Sequence, residues 1–287
     1  MVSLWCARLT WALLPVSAGS ALGDALEGWS TSPARVAAVL LWTAWTVGLI
    51  ALLAPRPWGL TALRVVAPAA VAAALLAVAS TSAAAAAFAV ASCALAAVLA
   101  LSSPIAQAAA NSAAYGDEVR YPLRTPLSLF FGPVPLAVVL VAVGVSAGPL
   151  LLADGRYVIG AIVTAAGFAV AAALARSVHA LARRWLVLVP AGIVIVDPLT
   201  LVDPVLMRRE QIKSVRRTPT DTAVAPLDLR LGTPGGTIVL SLHEPLSFAR
   251  RRGRHDAELH DAETVMISTV RADALVRAAG ERRLAIA

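Results

Sequence analysis

Between residues 157 and 198 the chain changes solvent. Residues 157–175 are uncharged and apolar, close to the roughly 20 residues that a helix needs to cross the hydrocarbon core of a bilayer. Arg176, Arg183 and Arg184 follow, and the hydrophobic period then drops to that of a strand, first in Trp185-Leu-Val-Leu-Val and again in Ile193-Val-Ile-Val. Helices pair their own backbone groups and suit lipid, whereas short strands cut by turns pair with one another in water. The chain is therefore expected to divide into a transmembrane helical domain, residues 1–184, and a water-facing β domain, residues 185–287.

Composition agrees with that division. Of 287 residues, 59% are hydrophobic and 14% charged, against about half and about a quarter in soluble domains. Ten arginines face five acids before residue 185, and fourteen basic residues face twelve acids after it. The net charge of +7 thus reads as orienting helices, and nucleic acid is not an expected partner. Lys213 stands alone against 23 arginines and alanine is abundant, which reads as the codon bias of a GC-rich bacterial genome. Cys6 and Cys93 lie in or beside apolar segments without CxxC or metal-ligand spacing, and are expected to be buried free thiols.

Six apolar segments, residues 4–22, 36–53, 60–79, 83–101, 127–147 and 157–175, lead to an α-helical integral membrane bundle of about six transmembrane helices. The first is the weakest. Arg8, the short apolar core 9–16 and the small residues after it could equally be a secretory signal peptide, while Trp5, Trp11 and Gly23-Asp24 fit the interfacial ends of a retained span. With six spans and both ends inside, Arg8, Arg56, Arg64, Arg120, Arg124, Arg176, Arg183 and Arg184 flank the inner face. Only Arg35 and Arg156 flank the outer, beside Asp24, Glu27 and Asp154. Cytoplasmic loops carry the arginine excess, so a multi-pass protein of the plasma membrane with its C-terminal domain in the cytoplasm is expected. Alanine-rich segments three and four, joined at Ser80-Thr-Ser, should form a close hairpin, and Gly160, Thr164, Gly167 and Phe168 should pack the last helix tightly. Pro68, Pro133 and Pro135 should kink or break their segments. No charge sits mid-span, which argues against ion-coupled transport and against redox or hydrolytic chemistry in the membrane.

The loop 104–126, with Asn111, Tyr115, Asp117, Glu118, Arg120, Tyr121 and Arg124, is either a docking surface for the β domain or a partner, or a solvated connector. Beyond it, strands are expected near 185–189, 192–197, 201–208, 212–217, 227–231, 237–242 and 265–270. Pro190-Ala-Gly192 and Pro234-Gly-Gly236 read as tight turns. A final helix near 271–283, with Asp273 in its first turn, has an apolar face of Ala272, Leu275, Val276 and Ala279 that could close one end of a small barrel.

The run from Trp185 through Pro190-Ala-Gly192 to Val196, followed by Arg209-Glu-Gln-Ile-Lys-Ser-Val215, resembles the bacterial pleckstrin-homology-like (PH-like) domains attached to membrane helices. The resemblance covers residues 185–287, about a third of the chain. It implies a small, mostly-β PH-like barrel with a C-terminal helix, acting as a non-catalytic binding or assembly module. It does not imply headgroup recognition, because phosphoinositide-binding relatives carry basic residues around the first hairpin, which here is Pro190-Ala191-Gly192.

Two local patterns resemble chemistry. His255 and His260 stand in a tandem repeat with four acids, but a spacing of five puts them on different helical faces. The preceding Arg250, Arg251, Arg252 and Arg254 neutralise those acids, so a solvated loop is expected, with contact of the arginine run with anionic lipid as the alternative. Asp197 and Asp203, each followed by proline, lack a nearby histidine or serine and read as turn residues rather than an acid–base pair. No P-loop, GxSxG, HExxH or dinucleotide fingerprint occurs, so no enzyme activity, metal or cofactor is expected. The expected function is a non-catalytic scaffold or sensor in the lipid bilayer whose cytoplasmic module binds a protein partner or a second copy. A permease or lipid-handling component regulated by that module is the alternative. The candidate interaction surface comprises Asp117, Glu118, Arg120, Arg124, Arg176, Arg183, Arg184, Arg250, Arg251 and Arg252.

Overall fold

The computed structural model describes residues 2–219, 227–253 and 256–287. It contains two compact units, Met1–Ala109 with Val134–His179, and Ala110–Pro133 with Ala180–Ala287. The helices in chain order are α1 (Val2–Ala12), α2 (Leu14–Ser17), α3 (Gly19–Glu27), α4 (Thr31–Leu53), α5 (Pro57–Leu76), α6 (Ala83–Ala100), α7 (Ser103–Asn111), α8 (Leu127–Phe131), α9 (Pro133–Ala153), α10 (Tyr157–Ala182) and α11 (Ala272–Glu281).

Among the described residues, five helical stretches are long and apolar enough to cross a membrane: Thr31–Leu53, Pro57–Ser80, Ala83–Ala100, Leu127–Ala153 and Tyr157–Ala182. They mark the chain as a membrane protein. The first apolar segment is not one long helix, because Pro15 has no amide hydrogen for the carbonyl of Trp11 and the run splits into α1, α2 and α3. The indole of Trp45 in α4 donates to that released carbonyl at 3.0 Å, and Trp11 donates its own indole to the carbonyl of Trp45 at 2.9 Å. Trp11 lies on Gly48, where a Cβ would come within 2.2 Å of the ring. Arg8 donates to the carbonyls of Leu52 and Leu53 at 3.0 and 3.3 Å, satisfying acceptors that the end of α4 leaves open. Thr81, in the turn before α6, donates to Asp24 at 2.6 Å. The run α1–α3 therefore lies antiparallel to α4, from the Leu53 end to the α5–α6 turn.

Alanine lets the helices of this unit approach closely: Ala67, Ala74, Ala89, Ala96 and Ala100 are buried together with Leu52 and Leu63. In α9 and α10, a Cβ on Gly144 would fall 2.7 Å from the carbonyl oxygen of Gly167, and one on Gly148 would meet Thr164. Pro133 opens α9 and Pro135 lies in its first turn, positions where a helix has no use for the missing amide, while Pro68 sits inside α5. Cys93 is buried as expected but Cys6 is exposed, since α1 and α2 bury the stripe Ala7, Trp11 and Leu14 and turn residue 6 away from it. Near the end of α10, His179 stacks on Trp58 at 3.5 Å and shares a hydrogen bond of 2.9 Å with Thr61.

The second unit holds two open four-stranded sheets. The first runs β1 (Val119–Pro122), β2 (Trp185–Val189), β3 (Gly192–Val196), β4 (Val205–Arg208), all antiparallel. The second contains β5 (Ile212–Arg217), β6 (Leu227–Asp228), β7 (Thr237–Arg251) and β8 (Ala257–Ser268), in the order β5-β7-β8-β6. The expected closed barrel is not formed. A 3₁₀ turn at Arg209–Gln211 separates β4 from β5, and among the described residues only isolated bridges such as Leu123 with Thr269 link the sheets. Leu186, Leu188, Ile193, Ile195, Val215, Ile238, Leu240, Val265 and Ile267 form one core, to which α11 adds Leu275 and Ala279. The β2–β3 hairpin turns on Pro190-Ala191, and Gly192, at φ +149°, leaves no room for a Cβ, which would lie 2.1 Å from the carbonyl oxygen of Met207.

Three expectations change here. Residues 119–122 are not a loop but an edge strand, in which Tyr121 pairs with Leu186. The side chain of Asn111 bonds both the amide and the carbonyl of Arg120, at 2.9 and 2.8 Å, and so covers part of that edge. Residues 201–208 form a strand only from Val205, after Asp203-Pro204. Most of 243–263 is the far part of the β7–β8 hairpin: Arg250 faces Glu258, Ser247 bonds Asp261, and buried Phe248 faces His260. The charges neutralise across strands, and Pro245 is absorbed in the register shift between Ser241 and Leu246. His255 and Arg254 lie outside the described residues.

Arg184 and Asp197 are likewise not surface groups. Their side chains are 2% and 0% exposed, and Nε and Nη2 of Arg184 each donate to a carboxylate oxygen of Asp197 at 2.7 Å. Nη1 donates to the carbonyl of Arg124 at 3.0 Å, and the amide of Leu199 donates to Asp197 at 3.1 Å. Asp197→Ala leaves a buried guanidinium without its counter-charge, and should destabilise the full-length protein by about 3–5 kcal/mol in denaturant titrations in detergent. Adding Arg184→Met should restore much of that loss. Trp45→Phe strands the carbonyl of Trp11 in an apolar setting and should cost about 1 kcal/mol in the same measurement.

Candidate functional site

The second unit contains a polar cavity of about 310 Å³ lined by Arg124, Arg217, Gly236, Val270, Arg271, Ala272, Asp273, Ala274 and Arg277. Distant segments bring these residues together. Arg124 leaves β1 with its amide on the carbonyl of Ser268 at 3.0 Å. Its guanidinium is held by the carbonyls of Thr269 and Pro234, at 3.3 and 3.4 Å. The Pro234-Gly235-Gly236 turn needs its glycines: both have positive φ, +69° and +61°, and a Cβ on Gly236 would lie 2.2 Å from the carbonyl oxygen of Thr269 and 2.9 Å from Nε of Arg124. Arg217 ends β5 and pairs with Asp273 in the first turn of α11. The first-turn amides of α11 have no intrahelical acceptors, and Arg271, which precedes the helix, does not cap them through its side chain.

Tyr121 fixes the helix above this cavity. Its hydroxyl donates to the carbonyl of Ala274 at 3.3 Å. Burial pushes the Tyr121 phenol above its ordinary value, a larger effect than the opposing fields of Arg271, Arg282 and Arg277. The hydroxyl therefore keeps the proton that it donates.

Of the residues expected at an interaction surface, only Arg124 lines the cavity. Glu118 is bound by Arg120 through Nε at 3.0 Å and Nη2 at 2.5 Å, and Arg120 lies over the ring of Trp185 at 4.9 Å. Asp117 is exposed and its carbonyl accepts from Arg282. Arg176 and Arg183 are exposed, the former in the first unit and the latter in the second. Arg184 is buried in its ion pair. Arg250, Arg251 and Arg252 are exposed at the far end of the β7–β8 hairpin, where Arg252 reaches Glu258 at 3.3 Å. Of the other charged cavity residues, Arg217, Arg271 and Asp273 lie at element ends that the sequence does mark, and Arg277 lies one turn further along α11. Only the fold shows that these ends meet.

The first unit has a second, apolar cavity of about 250 Å³, whose walls include Trp11, Leu14, Trp42, Trp45, Ala70 and Cys93. The indole N–H groups of Trp11 and Trp45 are spent on each other's carbonyls, so these two present ring surface to it. Comparison with protein-family models, with curated proteins and with solved structures found no match.

The raised phenol of Tyr121 predicts a specific pH dependence. Its share of stability is complete below the unfolded value of about 10 and is lost as pH rises from there through the folded value. Tyr121→Phe should be about 1 kcal/mol less stable at pH 8 and should lack that part of the alkaline loss, as read from denaturant titrations between pH 8 and 11.

Proposed function

We propose that this is a non-catalytic multi-pass protein of the plasma membrane, whose second unit is a cytoplasmic PH-like module that binds a ligand or partner and acts as a scaffold or sensor. The observation that carries this reading is the arginine-lined cavity, built on a sheet scaffold with its single carboxylate, Asp273, already engaged by Arg217. Such a lining receives an anion and offers no free base or nucleophile for turnover. Alternation in β2 and β3, the glycine hairpin and the terminal helix support the PH-like reading. The open sheets depart from a closed barrel.

The run α1–α3 serves as a sixth, broken crossing, supported by its path along α4. Six crossings place both termini on the arginine-rich, cytoplasmic side. The apolar cavity beside Trp11 and Trp45 favours a second reading, a lipid-handling component in which the helices hold a hydrocarbon chain.

Affinity purification of the full-length protein from native membranes should recover a specific protein partner or a homo-oligomer, and Arg271→Glu/Arg277→Glu should lose it. Recovery of a lone monomer from the wild type would remove the scaffold reading and leave only a ligand-binding sensor. A reporter fused after Ala287 should be cytoplasmic. Lipid scrambling by the protein in liposomes, unaffected by the double variant, would favour the second reading.

A further inference from the structure

We infer that the cavity bounded by Arg124, Arg217, Arg271 and Arg277 binds a multiply charged phosphate-type oxyanion, borne on a lipid headgroup or free in solution. This rests on the binding-module reading above and names the ligand class of that same site. Four guanidinium groups and one carboxylate line a single cavity, and Asp273 is spent on Arg217. The side chains of Arg271 and Arg277 make no hydrogen bond or ion pair with the described residues, and Nη2 of Arg124 is likewise open while Nε and Nη1 are anchored. Arg217, Arg271 and Arg277 are solvent-exposed, so water screens their mutual repulsion, and an anion gains most where it meets several of them at once. A phosphate group matches the planar, two-pronged donor geometry of arginine and carries enough charge to answer several of them.

Two further features fit. Ala272, Asp273 and Ala274, the first turn of α11, belong to the same lining, and the positive end of a helix favours negative charge. The buried hydroxyls of Thr237 and Thr269 have no hydrogen-bond partner among the described residues, and their chain neighbours Gly236 and Val270 line the cavity. The volume of about 310 Å³ is ample for a phosphomonoester or pyrophosphate group. The site is also distant in sequence from the first hairpin, Pro190-Ala191, which contributes nothing to it.

Calorimetric titration of the full-length protein with pyrophosphate, in an uncharged detergent, tests this. Saturable binding to one site is expected, weakened about tenfold or more by Arg271→Gln and by Arg277→Gln, and unchanged by Lys213→Gln, an exposed charge on β5 outside the lining. Melting temperatures of the variants confirm that the fold is kept. Repeating the titration in nanodiscs of phosphatidylcholine, with and without phosphatidate, separates the sources. Suppression by phosphatidate identifies a headgroup as the occupant, and equal affinity in both discs identifies a soluble phosphate. Absence of saturable binding in every setting, or equal weakening by Lys213→Gln, overturns the inference. Should that happen while the Arg271→Glu/Arg277→Glu protein still loses its partner, the module reading stands and only the ligand class is wrong.

Discussion

The second unit depends on the buried pair of Arg184 and Asp197. Taking two ions out of water costs several kcal/mol each, and this is offset only where the geometry is close to ideal and the remaining donors and acceptors are satisfied. Both conditions hold: the contact is bidentate at 2.7 Å, Nη1 finds the carbonyl of Arg124, and Asp197 takes the amide of Leu199. The carbonyl of Arg184 also accepts from Leu123 at 3.0 Å. One side chain thereby holds the end of β1, the start of β2 and the exit of β3. By fixing the backbone of Arg124, it also sets the first wall of the arginine-lined cavity.

Comparable backbone accounting governs the first unit, where water is scarce. Pro15 would strand a carbonyl in an apolar environment, and Trp45 answers it. The end of α4 would strand others, and Arg8 answers those. Close packing at Gly48, Gly144 and Gly148 then supplies the contact that hydrophobic burial does not supply between helices already in lipid. The tryptophan exchange explains how a segment broken twice can still follow α4 along most of its length.

Much of this was legible from residue patterns, and the failures share a cause. Runs of valine and isoleucine marked β2 and β3 because these strands are buried on one face or both, and the apolar face at Leu275 and Ala279 marked α11 because it packs on the sheets. β1 was hidden, since Val119–Pro122 ends in proline and its partner lies more than sixty residues away in sequence. The far part of β7 and β8 looked like a charged loop because the acid opposite Arg250, Glu258, which pairs with Arg252, sits across the hairpin. Of the cavity, Arg124 was singled out for the side of the membrane that it marks. Its convergence with Arg271 and Arg277 follows from pairing that no local period encodes.

Arginine counting also has a physical limit in this chain. Arg184 is consumed by Asp197, and Arg230, itself buried, by Asp228. Burial alone would raise the Asp228 carboxyl, yet the side-chain and backbone hydrogen bonds of Arg230 together with its charge hold it below its ordinary range. Arg120 is shared between Glu118 and the face of Trp185. Each of these charges is locally answered and contributes little field at a distance. Arg271 and Arg277, which share a cavity lining with Arg124, keep their charge unpaired, so net charge describes this unit less well than the positions of its unanswered guanidinium groups.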